Sequence, residues 1–326
     1  MIQTKNTVSV QRCSTYDPNE VSCAIELGLQ SLGGIGAYVS RGDRVLLKPN
    51  LLYGKPAERA VTTHPAVVEA VARMALDCGA IVVIGDSPPL TGAHRVAQAC
   101  GIADVAKRLG VPIVDFRRPS KKTRKSPQFT QHILTPCIEQ SLLDYDVIIN
   151  LPKWKAHCQM LITGAVKNLF GCVTKRRKAF WHFRLQHSTD EFAAMLLAVM
   201  EKISPELTIL DAVVAMEGNG PNHGNPVPLG LLLAGQNPVA IDRIVAELLG
   251  IDVENHFILR AAQRLGIPGT DLHSIPITGL SLDEAKVHSF QLPEIIPIGF
   301  SLAHLIRGMA RYFSGKLSRK RQATSM

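Results

Sequence analysis

The chain is poor in aromatic residues, 5% of 326 positions, and its seven cysteines contain no CxxC pair. Scattered thiols in odd number build neither a disulfide framework nor a cluster-binding run. A reducing compartment is therefore expected, with no iron–sulfur cluster. No stretch reaches the roughly 18 uninterrupted apolar residues that a membrane span requires. Met1 to Arg12 lacks the apolar centre of a signal peptide, so the sequence reads as cytoplasmic. No GxGxxG follows a strand pattern, since Gly33 to Gly36 reads as a turn, and HxxxH and HExxH spacings are missing too. A hydrophobic fraction of 46% with 19% charged residues excludes disorder, collagen and coiled coil.

What the chain has is unevenly placed positive charge. It carries 36 Lys/Arg against 27 Asp/Glu, a net +9. Three segments without an acidic residue hold much of the excess: Arg117 to Lys125, Lys175 to His187, and Arg307 to Arg321. Such patches attract polyanions or anionic headgroups, although no nucleic-acid motif accompanies them. The last patch is patterned. Leu302, Leu305, Ile306, Met309, Tyr312 and Phe313 recur at three and four with Arg307 and Arg311 among them, which predicts a basic amphipathic helix. It suits docking on the protein's own core, on a partner subunit, or on an anionic membrane surface through residues 300–321.

Short β-rich runs alternate with helical patterns, as in a three-layer α/β protein with a largely parallel or mixed sheet and helices on both faces. Strands are expected at Val8 to Arg12, Arg44 to Lys48, Ile81 to Gly85, Pro112 to Asp115, Asp146 to Asn150, Leu207 to Asp211 and Leu229 to Leu233. Helices are clearest at Pro65 to Cys78, with His64 or Thr63 as cap, and at Pro238 to Gly250, capped by Asn237; both place proline at the first helical position. The division that follows is one domain over 1–297, with basic loops at 117–125 and 175–187, and a basic helical tail at 298–326.

In open α/β sheets, ligands bind outside the carboxyl ends of the strands. Here those ends run into Lys48 and Asn50, into Asp86 and Ser87, into Asn150, Lys153, Lys155 and His157, and past Asp211 into Glu217 and Asn219. A cation at Lys48, behind Val45-Leu46-Leu47, requires a carboxylate partner or an anionic ligand. Asp86, Asp211 and Asp242 are available as partners, so a structural ion pair stays open. In an extended stretch Lys153, Lys155 and His157 share one face, about 7 Å apart. Thr163 and Gly164 can open a helix carrying Lys167 and Asn168. Lys178 and His182, at i and i+4 beside Trp181, read as a lid over an anion or as a surface feature. A metal held by Asp86, Asp211 and Glu217, with His64, His157 or His182, has no spacing in its favour.

The same residues carry a family resemblance. KPNLL at 48–52, TTHP at 62–65, IGDSP at 84–88, NLPKWKAH at 150–157, TGAVKNLFG at 163–171, MEGNGPNHG at 216–224 and NPVAID at 237–242 together resemble the DUF362 family. The resemblance implies an architecture and a set of positions, namely Lys48, Asn50, His64, Asp86, Lys153, Lys155, His157, Lys167, Asn168, Glu217 and Asp242, but no reaction. Many relatives carry an appended ferredoxin-like module. This sequence shows no such cysteine run after residue 250, so the iron–sulfur label does not transfer.

The expectation is an enzyme or binding protein for a small carboxylate or phosphate metabolite. Lys48, Lys153, Lys155 and Lys167 would neutralise it, and Asn50, Asn150 and Asn168 would orient it. His157 or His64 would serve as acid and base, or a lysine of lowered pKa as base or nucleophile, with Ser87, Lys178, His182 and Asn219 around the ligand. Asp86, Asp211 and Glu217 would orient these groups or hold a divalent metal. Two alternatives stand beside it: a peripheral protein binding anionic lipid or RNA through its basic patches, and a redox-associated protein served by a separate electron donor.

Overall fold

The computed structural model describes residues 5–296. The chain runs β1 (Val8–Arg12), α1 (Pro18–Gln30), β2 (Arg44–Pro49), α2 (Pro65–Asp77), β3 (Ile81–Asp86), α3 (Ala93–Cys100), α4 (Ile102–Leu109) and β4 (Ile113–Asp115). A two-stranded ribbon follows, β5 (Pro119–Ser120) and β6 (Ile138–Glu139). Then come β7 (Val147–Leu151), β8 (Lys153–His157), β9 (Leu161–Thr163), α5 (Ala165–Asn168), α6 (Lys175–Arg184) and α7 (Thr189–Ile203). The rest is β10 (Leu207–Glu217), β11 (Asn225–Gly235), α8 (Pro238–Leu248), α9 (Phe257–Arg264), β12 (Ile277–Gly279) and α10 (Leu282–Ala285).

The main sheet has the order β12-β1-β11-β10-β7-β2-β3-β4. Strands β10, β7, β2, β3 and β4 are parallel, whereas β11 runs against both β10 and β1. Alternation sorts the strand residues between two cores. Val45 and Leu47, with Val147 and Ile149, pack under α1 to α4, while Leu46 and Ile148 join the core formed with α5, α7, α8 and α9. This is the three-layer α/β arrangement. The parity continues past the apolar run, so Lys48 and Asn150, direct partners across β2 and β7, face the α5 side.

Pro152 makes the step on which the site depends. Strand β7 pairs with β10 only at Leu207 and Thr208. Asp211 then donates its N–H to Pro152 O at 2.9 Å, and β8 takes over beside β10 from Lys153. The chain thus lays Lys153, Lys155 and His157 across the carboxyl edge of the sheet, and β9 folds back on β8 with Thr163 opposite Lys155.

Several boundaries differ from the sequence expectation. Strands β10 and β11 extend to 11 residues each, because they form a long antiparallel pair beyond the parallel part of the sheet. The expected basic loop at 175–187 is largely helix α6. The segment 117–125 is partly pinned: Arg124 is buried against Glu206 and donates to the backbone oxygens of Ile203 and Tyr145. The caps fall as expected, His64 Nδ1 accepting from Ala66 N–H and Asn237 from Val239 N–H. The tail at 298–326 lies outside the described residues.

Helix α5 is positioned by a carboxylate from another helix. Asp242 of α8 accepts the N–H groups of Ala165 and Val166 at 2.6 and 3.1 Å. Gly164 permits the approach, since a Cβ there would meet Asp242 Oδ1 at 2.0 Å. Burial raises the Asp242 carboxyl from 3.8 to about 7. The folded chain therefore holds a proton that the unfolded chain releases, so this group's contribution is complete below pH 3.8 and is lost as pH rises through about 7. Asp242→Asn should flatten that part of the stability profile in urea titrations. Asp242→Ala, which leaves two buried N–H groups unpaired, should cost about 2–4 kcal/mol; an unchanged midpoint would contradict the assignment.

Candidate functional site

Two lysines at the sheet edge are neutralised within the protein. Lys48, 0% exposed, meets Asp86 Oδ1 at 3.0 Å and donates to Pro49 O at 2.7 Å. Asp86 also accepts the N–H groups of Ser87 and Leu51, both at 2.8 Å. Gly171 lies directly over this pair: a Cβ there would stand 2.2 Å from Asp86 Oδ1 and 2.5 Å from Lys48 Nζ. Lys153 meets Asp211 Oδ2 at 2.9 Å. Asp211 further accepts from Tyr16 OH and from the His64 N–H, each at 2.9 Å. Tyr16 stacks on the His64 ring with centroids 3.5 Å apart, and its hydroxyl accepts from Lys153 Nζ at 2.6 Å. Burial lowers His64 to about 4, so its ring is neutral near pH 7.

Three other lysines have no carboxylate partner among the described residues. Lys155, fully buried, donates to Asn50 Oδ1 at 2.9 Å and Val61 O at 2.7 Å. Lys178, reaching in from α6, donates to Ser87 O, and lies 3.4 Å from Gly171 O. Lys167, on α5, is partly open to solvent and has no hydrogen-bond partner among the described residues. Burial holds Lys167 and Lys178 at about 8 and drives Lys155 well below its ordinary value. Lys167 sits centrally: its charge further lowers Lys155, His157, Lys178 and His182.

The asparagines set the positions of these cations. Asn168 donates to Asn150 Oδ1 at 2.8 Å and to Lys48 O at 3.1 Å, and accepts from Asn50 at 2.9 Å. Asn150 in turn donates to Ala165 O at 3.0 Å. Their amides therefore bind one another, the backbone and the lysines. The buried hydroxyls of Ser87 and Thr163 have no partner among the described residues. A buried polar atom without a partner is costly, and an anion is one group that would satisfy a hydroxyl.

His157 and His182 border the cluster as neutral rings, His157 well below its ordinary value and His182 at about 3, both mainly through burial. His157 Nδ1 accepts from Gln159 N–H at 3.1 Å, and His182 packs edge-on to Phe170 at 5.7 Å. Asn219 lies exposed in the turn after β10, where its backbone oxygen accepts the His223 N–H at 3.2 Å. The metal reading needs correction. Asp86 and Asp211 are taken up in separate ion pairs, Glu217 accepts the Gln291 N–H at 2.8 Å, and no group of three metal-ligating side chains occurs among the described residues. Sequence reasoning missed Tyr16, far upstream of the motifs, and the hydroxyl of Thr163, read only as a helix opener.

The fold and this edge define an α/β protein with five lysines gathered around two paired aspartates. The chain belongs to the DUF362 family, described as a domain of unknown function, whose match spans residues 45–247 and so encloses all five. The thylakoid-associated protein sll1697 of Synechocystis sp. is 38% identical over 309 residues, 94% of either chain. Among solved structures, the lactate racemase apoprotein of Thermoanaerobacterium thermosaccharolyticum overlaps with a TM-score of 0.41 and 11% identity, over 72% of this chain and 56% of that one. This chain thus spans little more than half the length of that structure.

Removing one partner of a buried pair strands the other charge. Asp86→Asn should therefore cost about 3–5 kcal/mol in urea unfolding. Arg73→Gln, which breaks the exposed pair with Glu69, should cost less than about 1 kcal/mol. Equal costs would contradict the ranking.

Proposed function

We propose that the chain holds a small metabolite bearing carboxylate or phosphate groups at the carboxyl edge of its sheet, with Lys155, Lys167 and Lys178 as its counter-charges. The observation that carries this is the excess of cations: five lysines converge where two carboxylates are already paired. Concentrating like charge away from water costs several kcal/mol per ion unless an anion completes the site. Ser87 and Thr163 supply hydroxyl donors to such a ligand. The cluster can also move protons. Lys167, at about 8, is mostly protonated at neutral pH yet close enough to release its proton to a reacting group, and the neutral His157 ring can accept one.

Inorganic phosphate, pyrophosphate and malate serve as probes in thermal-shift titrations. A ligand of the native state raises the melting temperature by mass action. Lys167→Met should leave the ligand-free melting point equal or higher, because it removes one of several crowded cations, while weakening the effective probe roughly tenfold or more. Anion affinity should be full below about pH 8 and fall above it, because Lys167 and Lys178 lose their protons there. Failure of every probe, or affinity that rises with pH, would refute the reading.

A second reading, peripheral association with an anionic membrane surface, is favoured by the similarity to a thylakoid-associated protein and by the basic patches. Among the described residues no helix is long and apolar enough to cross a bilayer, so the association would be with its surface. The intact chain should cosediment with anionic vesicles and be released by salt; retention only by neutral vesicles would count against it.

A further inference from the structure

We infer that the outer face of α6 is the surface that docks on an anionic bilayer, an inference that rests on the membrane reading above and gives it a location. The helix has two faces. Lys178, Trp181 and His182 point inward, Lys178 bonding to Ser87 O and Trp181 buried in the core. At 100° per residue the opposite side carries Arg177, Phe180, Phe183 and Arg184, all exposed. Phe180 and Phe183 are 55% and 60% exposed, unusual for aromatic rings on a surface with no partner.

Adjacent segments extend the apolar surface. Leu134, 61% exposed, lines a cleft with Trp181, Arg184 and Leu185. Three of the ten large apolar side chains exposed among the described residues, Phe180, Phe183 and Leu134, thus lie on α6 or in the cleft beside it.

Charge selects the occupant. No acidic residue occurs in α6, and Glu191 lines the Leu134 cleft beside it. The chain's own segment at 307–321, with six Lys/Arg and no acid, is repelled by such a face. Rings flanked by arginines, with aliphatic side chains alongside, suit the headgroup and acyl boundary of an anionic bilayer, where each basic residue adds about 1 kcal/mol. The inner face of the same helix supplies Lys178 to the cation cluster, so the membrane surface and the anion site are separated by one helix.

Cosedimentation of the full-length chain with vesicles of phosphatidylcholine, with and without phosphatidylglycerol, tests this. The parent should bind only when phosphatidylglycerol is present. Phe180→Ser with Phe183→Ser should lower partitioning roughly tenfold. Arg177→Gln with Arg184→Gln should lower it about fivefold per arginine, roughly 25-fold together. All four side chains are exposed, so both variants should keep the parent's phosphate response and lose little melting temperature through the contacts of Phe180 and Arg184 with the Trp181 ring. Parent binding with unaffected variants would overturn the α6 assignment and leave the membrane reading intact, whereas no binding by the parent would overturn both. Loss of RNA retention or of a concentration-dependent dimer in these variants, without a change on vesicles, would also overturn it.

Discussion

The crowding of ammonium groups at one sheet edge is the constraint on which the rest depends. Lys48 and Lys153 are held by Asp86 and Asp211, but Lys155, Lys167 and Lys178 gather beside them without carboxylates among the described residues. Burial lowers the proton affinity of Lys155, Lys167 and Lys178, and the charges of Lys48 and Lys167 lower that of Lys155 and Lys178 further. The arrangement is poor for stability and good for attracting an anion.

Everything near the edge is arranged to keep those charges in place. Strand parity aims Lys48 and Asn150 toward α5, and the step at Pro152 lays β8 across the sheet end. Gly171 closes over the Lys48 and Asp86 pair at a distance no other residue tolerates, and Asp242 fixes the start of the helix that presents Lys167. The chain of Asn50, Asn168 and Asn150 amides then locks three segments of the fold together. The opposite side of α6 leaves Phe180 and Phe183 exposed.

Much of this was legible in the sequence because it depends on local signals. Pro65 and Pro238 at helix starts, Asn237 as a cap and the β-rich run at 44–48 each declare themselves within a few residues, and they sufficed for the α/β class and the strand ends. The motif lysines could be read as belonging to one edge, since strand ends in a parallel sheet share one. Partnership could not be read. Which lysine meets Asp86 or Asp211, and which is left without a carboxylate, depends on pairings separated by 38 and 58 positions, and on Tyr16, which reaches Asp211 from 195 residues away. The basic run at 175–187 misled because charge density resembles a loop until Trp181 and Lys178 are seen buried. The internal bonds of the asparagines could not be read either, because an amide that orients a lysine and one that orients a substrate look alike in a sequence.

The most direct test of the crowded-lysine account is proton uptake on anion binding. Calorimetric titration of the full chain with pyrophosphate, repeated at pH 8 in buffers of different ionisation enthalpy, counts the protons taken up. Lysines held at about 8 are part-deprotonated there and must regain protons to bind an anion, so fractional uptake is predicted at pH 8 and almost none at pH 6. Binding heats independent of buffer at both pH values would show that the lysines are not perturbed by one another, and would contradict the account.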